Sequence, residues 1–256
     1  SLGKHILSKY PKVKEVLTQI KMQGSNKSPL LQNEDLKSAL LEETPWVLEA
    51  KNEQDQLNRI SLLMDLNTLS QNIDLSIKKL QSRQSSSGSF SWFPEGYPDR
   101  YMTQHIVSQI AHLKRLGALE SSDKELQDIV KKAQKFLNEE ILKDYDQLAM
   151  QVKKGYAKWE DNNLSHIQLH YYYCKSYFPD WPSDDQLQVV HNYYKLQMEN
   201  HWKSRSIYDQ GLAALVLHKS GNKNTSNLIV QSLKQRSVAH PELGTYWKNN
   251  WSYYWY

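Results

Sequence analysis

The sequence predicts an all-α domain of helical hairpins, an α/α-toroid or α-solenoid, with the ring incomplete. Three observations predict it. A Gly/Pro loop with clustered aromatics runs straight into an amphipathic helix in GSFSWFPEGYPDRYMTQHIVSQIAHLKRLG, residues 88–117, and a degenerate form returns around Trp159, Trp202 and Trp247. Intervals of roughly 40 to 70 residues lie near those of stacked or circularly arranged hairpins. Gly and Pro are scarce and gather in these loops, and no run alternates apolar with polar residues as a half-buried strand does. One loop with two helices cannot bury its own apolar face, so neighbouring units must supply the core.

The elements follow in order. A first helix covers residues 4–23 and stops at Gly24. A short helix begins at Asn33 and ends near Thr44, because Pro45 disfavours helical geometry before it. A long helix spans residues 53–83, with Leu62, Leu66, Leu69, Ile73, Ile77 and Leu80 on one stripe. At about 1.5 Å per residue it would reach roughly 45 Å, so a bend or break is expected. The stretch 85–88 ends it.

Helix 100–116 carries Met102, Ile106, Ile110 and Leu113 on one face, with Gly117 as its C-cap. Ser122 and Glu125 have capping-box spacing and open a helix with Leu126, Ile129, Val130, Ala133, Phe136 and Leu137 inward. Residues 161–177 read as helix, closed by Pro179. Ser183 and Gln186 form a second capping box ahead of helix 184–200, with Leu187, Val190, Tyr194 and Met198 on one face. Segments 204–219 and 224–236 form a last pair about Ser220–Gly221. An aromatic loop at the same end of every unit builds one rim, and its candidate interaction residues are Trp92, Phe93, Tyr97, Trp159, Trp202 and Trp247. A Trp at such a position packs its loop against the next hairpin or stacks a ligand.

Composition narrows the classes. At 256 residues the chain is long enough for a substantial core. No apolar run approaches the roughly 18 residues of a membrane span. The net charge of +4 comes from Lys and Arg interleaved with Glu and Asp, a solvated helix face rather than a nucleic-acid track. Tyr (16) and Trp (8) outnumber Phe (4), which suits half-buried seams and interfaces. The single cysteine, Cys174, allows no intrachain disulfide. The start at Ser1 and the end in WSYYWY read as cuts through a longer protein, with the run Tyr246, Trp247, Trp251, Tyr253, Tyr254 and Trp255 beginning a further unit.

Catalytic chemistry finds little support. His166 and His170 stand at i, i+4 in HIQLH, but a zinc protease needs the acid of HExxH and a further ligand. Cys174 lacks any thiol-enzyme context and reads as a buried small hydrophobe. Glu95 and Asp99 could pair for acid–base work on a sugar, yet Asp99 sits where an N-cap belongs and Glu95-Gly96 is an ordinary turn.

Four segments carry a family resemblance: LLEETPWVLEA (40–50), RISLLMDLN (59–67), KLQSRQSSSGSFSWFPEGYPDRYMTQHIVSQIAHLKRLG (79–117) and LGTYWKNNWSYYWY (243–256). Together they resemble the helical thioester-type domain of bacterial alpha-2-macroglobulins, especially the Bacteroidetes kind. The resemblance spans nearly the whole chain. It implies a complement-like α/α-toroid of the terpenoid-cyclase type within a larger envelope or secreted protein. There, cleavage of a bait segment traps the protease. Many members then capture the protease through a Cys-x-Glu-Gln thioester. That motif is absent from this sequence, where Cys174 is followed by Lys-Ser-Tyr.

The expectation is therefore a single helical domain over residues 1–256, with N-terminal helices in 1–84 and loop-plus-hairpin repeats in 85–256. It is a non-enzymatic part of an endopeptidase inhibitor, without catalytic residues, thioester, metal or cofactor. The resemblance implies as partners the neighbouring domains of the parent protein and, through it, target proteases. Neither nucleic acid nor membrane insertion by this segment is expected. The alternative is a carbohydrate-active α/α-toroid enzyme or binding module.

Overall fold

A computed structural model describes residues 66–119 and 124–248, together with Lys12. Apart from Lys12, the expected helices 4–23 and 33–44, residues 53–65 of the expected long helix, the Ser122 capping box and the aromatic run beyond residue 248 lie outside the described residues. Seven α-helices occupy most of the remainder: α1 (Leu66–Arg83), α2 (Arg100–Arg115), α3 (Lys124–Lys153), α4 (His166–Lys175), α5 (Asp185–His201), α6 (Ile207–Lys219) and α7 (Lys223–Arg236). A 3₁₀ turn at Trp202–Ser204 precedes α6, and a small hairpin, β1 (Val238–His240) with β2 (Gly244–Tyr246), follows α7. The all-α class is as expected.

The chain divides into two compact units, Ser1–Ser82 with His112–Glu125, and Arg83–Ala111 with Leu126–Tyr256. In the first, Ile77 of the predicted stripe is buried on α1 while Leu75 is exposed. Gly117 ends the adjoining helix as expected: it holds φ +67°, and the Ala118 amide reaches back to the Leu113 carbonyl at 2.9 Å.

The second unit holds the larger core. All six inward residues predicted for α3 are buried, as are the four predicted for α5. A period of three and four on a helix with one wet face is a reliable signal. Helix α6 packs against α4 and α7, and Ser226 of α7 donates to the Ala214 carbonyl at 2.8 Å. Between α3 and the segment after α4 sits Asn138. Its Oδ1 accepts from Tyr171 Oη at 2.7 Å and from Trp181 Nε1 at 2.6 Å, and its Nδ2 donates to the Pro182 carbonyl at 2.9 Å. One buried amide thus satisfies two aromatic polar tips and a backbone carbonyl.

The structure corrects several local expectations. The buried face of α2 is not Met102–Ile106–Ile110–Leu113: Thr103, Gln104, Val107, Ser108, Ile110 and Ala111 are buried, and Met102, Ile106 and Leu113 are only half-buried. The reason is polar packing against α4, where Gln104 donates to the Ile167 carbonyl and the Cys174 thiol donates to the Gln104 carbonyl. Helix α4 starts at His166, not 161, because Asp161 and Asn163 spend their side chains on the Lys158 backbone. It opens instead with Ser165, whose amide donates to Gln168 Oε1 at 2.7 Å. Asp184, not Ser183, caps α5 by accepting from the Leu187 amide at 2.8 Å. On α6, Leu212 is buried and Leu215 exposed. The β1–β2 hairpin was also not foreseen. Its turn is tied by His240 Nδ1, which accepts from the Glu242 and Leu243 amides, and Gly244 holds φ +68°.

Candidate functional site

The candidate site grows from the loop before α2. Gly88 begins it at φ +90°, and a Cβ there would lie 2.2 Å from the Lys132 carbonyl oxygen, so only glycine lets the chain lie against α3. Gln84 Nε2 clamps the Gly88 and Ile129 carbonyls, each at 2.9 Å. Phe90 and Asp99 then pair as an antiparallel bridge, closing the loop at its neck. Buried Thr103 braces that neck, accepting from the Phe90 amide at 2.9 Å and donating to the Asp99 carbonyl at 2.7 Å. Asp99 accepts from the Met102 amide at 2.6 Å, the N-cap role its position predicted. Beyond this neck, Trp92 is 54% exposed, Phe93 75% and Tyr97 94%.

From Trp92 a file of rings crosses three helices. Trp92 stacks on Tyr101 at 6.2 Å, Tyr101 meets His170 at 5.7 Å, His170 stacks on His166 at 5.9 Å, and His166 meets Tyr208 at 5.7 Å. A branch leaves His170 through Tyr173 to Tyr177, over whose ring Lys219 Nζ sits at 3.1 Å from the centroid. The file links the first turns of α2, α4 and α6, and Lys219 beside Tyr177 links the far ends of α4 and α6. Helices α4 and α6, linked at both ends, therefore run side by side in one direction, and their preceding loops share an end. Asn162 of the Trp159 loop reinforces this, donating to Ser204 Oγ and accepting from Arg205 in the Trp202 loop.

At the foot of the file, His166 Nδ1 lies 2.5 Å from Asp209 Oδ1, and both side chains are buried. Asp209 is the third residue of α6, and its amide donates to Ser206 Oγ. Above it, burial first, and then the charges of His166 and His105, hold the His170 imidazole down to about pKa 4. His170 Nδ1 is buried without a hydrogen-bond partner. Arg100 is anchored on Asp144 at 2.5 Å, and Gln168 donates to the same carboxylate oxygen. Burial raises the Cys174 thiol well above its ordinary pKa, so it is not a nucleophile in this state.

The chain matches no family model, no curated protein and no solved structure.

The predicted rim residues separate into three kinds. Trp92, Phe93 and Tyr97 stand together in the exposed loop. Trp159 is half-buried between Tyr145 of α3 and Tyr193 of α5, at 5.2 and 5.3 Å, and its carbonyl accepts from Tyr193 and Gln197. Trp202 is only 8% exposed and belongs to the core, a correction to its place among the interaction residues; its loop is only a short 3₁₀ turn, which brings the indole under the helices. Trp247 is half-buried, with Nε1 donating to the Leu233 carbonyl of α7 at 2.8 Å.

Glu95 and Asp99 do not make a carboxylate pair of the kind acid–base catalysis needs, since Asp99 caps α2 and Glu95 occupies the tight turn Phe93–Gly96 at φ +61°. Among the described residues no group of three His, Cys, Asp or Glu side chains is placed to hold a metal. Asp209 is the residue that sequence reasoning missed. In SIYDQG it looks like an ordinary acid in a helix's first turn, and only the fold brings it to His166, 43 positions earlier in the chain.

Proposed function

We propose that the chain is a non-enzymatic helical domain of a bacterial alpha-2-macroglobulin-like endopeptidase inhibitor, serving in the cell envelope or as part of a secreted protein. The observation that supports this reading most is the loop 90–99. The FSWFPEG…DRYMTQ motif that carries the resemblance folds into a braced neck holding Trp92, Phe93 and Tyr97 in solvent. A rigid backbone that presents aromatics loses little entropy on binding and suits the centre of a protein interface. The occupant in this reading is a neighbouring domain of the parent protein, released when the bait is cut. The parallel pair α4 and α6 fits the inner wall of an α/α-toroid.

The test is a Trp92→Ser, Phe93→Ser double variant of the full-length protein. It should fold with an unchanged circular-dichroism spectrum, since neither side chain is in the core, yet lose most protease trapping. Unchanged trapping counts against this docking role.

The carbohydrate-active reading draws on one observation, the ring file from Trp92 to the His166–Asp209 pair. It requires polysaccharide turnover or polysaccharide binding by the chain alone, and its loss in His170→Ala.

A further inference from the structure

A cavity of about 280 Å³ opens between the C-terminal ends of α4 and α6 and the middle of α5. That is room for roughly nine waters at about 30 Å³ each, near the small end of ligand sites. Its walls divide by chemistry. Phe178, Pro179, Met198 and Val216 make an apolar side. Lys175, Lys195 and Lys219 bring three ammonium groups, and Ser176, Ser220 and Asn192 add neutral polar groups. No carboxylate lines it.

Two of the lysines have an ordinary reason to be there. Lys175 and Lys219 close α4 and α6, where a cation meets the negative end of a helix. Lys195 has no such reason, because it sits in mid-α5. Lys219 is held in place over the Tyr177 ring. Lys175 is half-buried and its pKa is lowered by burial alone, with no carboxylate raising it. His191 supplies an independent sign. It is only 9% exposed and lines the cavity, its Nδ1 meets Tyr172 Oη at 3.2 Å, and its Nε2 is buried without a hydrogen-bond partner. Burial, then the Lys175 charge, brings its pKa to about 4 against the opposing pull of Asp184. Buried polar atoms without partners are uncommon, and three lysines on a wall that no carboxylate lines set up a field that favours an anion.

We infer that this cavity binds a small organic anion, its carboxylate or phosphate head among Lys175, Lys195 and Lys219 beside His191, and its apolar body against Phe178, Met198 and Val216. The site lies apart from the exposed Trp92 loop and does not depend on the proposed trapping function. Lysine acts as a point charge and accepts either head group.

The experiment titrates the 256-residue chain with phenyl phosphate and benzoate, following calorimetric heat and the ¹⁵N shift of His191 Nε2. One or both anions should saturate at one site and move that shift, and the tighter of the two identifies the head group. Inorganic phosphate and benzyl alcohol, each lacking half of the chemistry, should bind at least about tenfold more weakly. Lys195→Gln, and separately Lys175→Gln, should each weaken binding about tenfold while keeping the native circular-dichroism spectrum. The inference is overturned if neither organic anion saturates, if inorganic phosphate binds as well as phenyl phosphate, or if both folded glutamine variants bind as the wild type does.

Discussion

His166 Nδ1 and Asp209 Oδ1 meet at 2.5 Å in a buried contact that joins the first turns of α4 and α6. This pair fixes the two helices in register at the end where the aromatic loops gather. Removing the acid leaves a buried imidazole nitrogen without its partner. Asp209→Ala should cost about 3 kcal/mol in denaturant unfolding, and Asp209→Asn, which keeps an acceptor, clearly less. A double-mutant cycle with His166→Ala should return a coupling above about 1 kcal/mol. Simple additivity of the two single changes contradicts the assigned role.

Replacing Gly88 meets both strain and collision. With φ +90° and a Cβ 2.2 Å from the Lys132 oxygen, Gly88→Ala should cost at least about 3 kcal/mol. Gly155 and Gly221 also hold positive φ, but nothing lies within 4 Å of a Cβ on either. Alanine there should cost only about 1 kcal/mol. Melting temperatures of the three variants check the ordering.

What the sequence made legible follows from its periods. The apolar faces of α3 and α5 were readable because each helix has one wet side. The buried face of α2 was misread because Gln104 and Ser108 are buried by hydrogen bonding and close packing, which hydropathy does not register. Trp92 and Trp202 look equivalent in sequence, yet one loop stands clear on a bridged neck and the other is a 3₁₀ turn that buries its indole. Asp209 and the lysine cavity depend on contacts across the fold, so no local pattern announces them.

Asn138 joins Tyr171, Trp181 and the Pro182 carbonyl. Asn138→Ala strands a phenol, an indole N–H and a carbonyl, and should cost about 2–4 kcal/mol. Trp181 emission should shift in the folded variant as its indole loses the amide. An unshifted spectrum at unchanged stability would show that the amide is dispensable.

Acid should destabilise the fold through His170. In the folded chain this imidazole stays neutral down to about pH 4, whereas in the unfolded chain it takes up a proton near 6.5. Between those values the unfolded state binds more protons, so stability falls as pH drops from 6.5 toward 4, by up to roughly 3 kcal/mol from this group. His191 adds to the slope in the same direction. Replacing His170 by Phe should flatten the stability profile across that window, and an unchanged slope argues against the assignment.

The central claim, a domain of a protease trap, is tested most directly by incubating the full-length protein with an endopeptidase and assaying the mixture on two substrates. The account predicts that cleavage of a large protein substrate is suppressed while cleavage of a small peptide persists, because an enclosed protease excludes only what cannot reach it. Equal cleavage of both substrates with and without the protein, together with polysaccharide turnover by this chain alone, would contradict it.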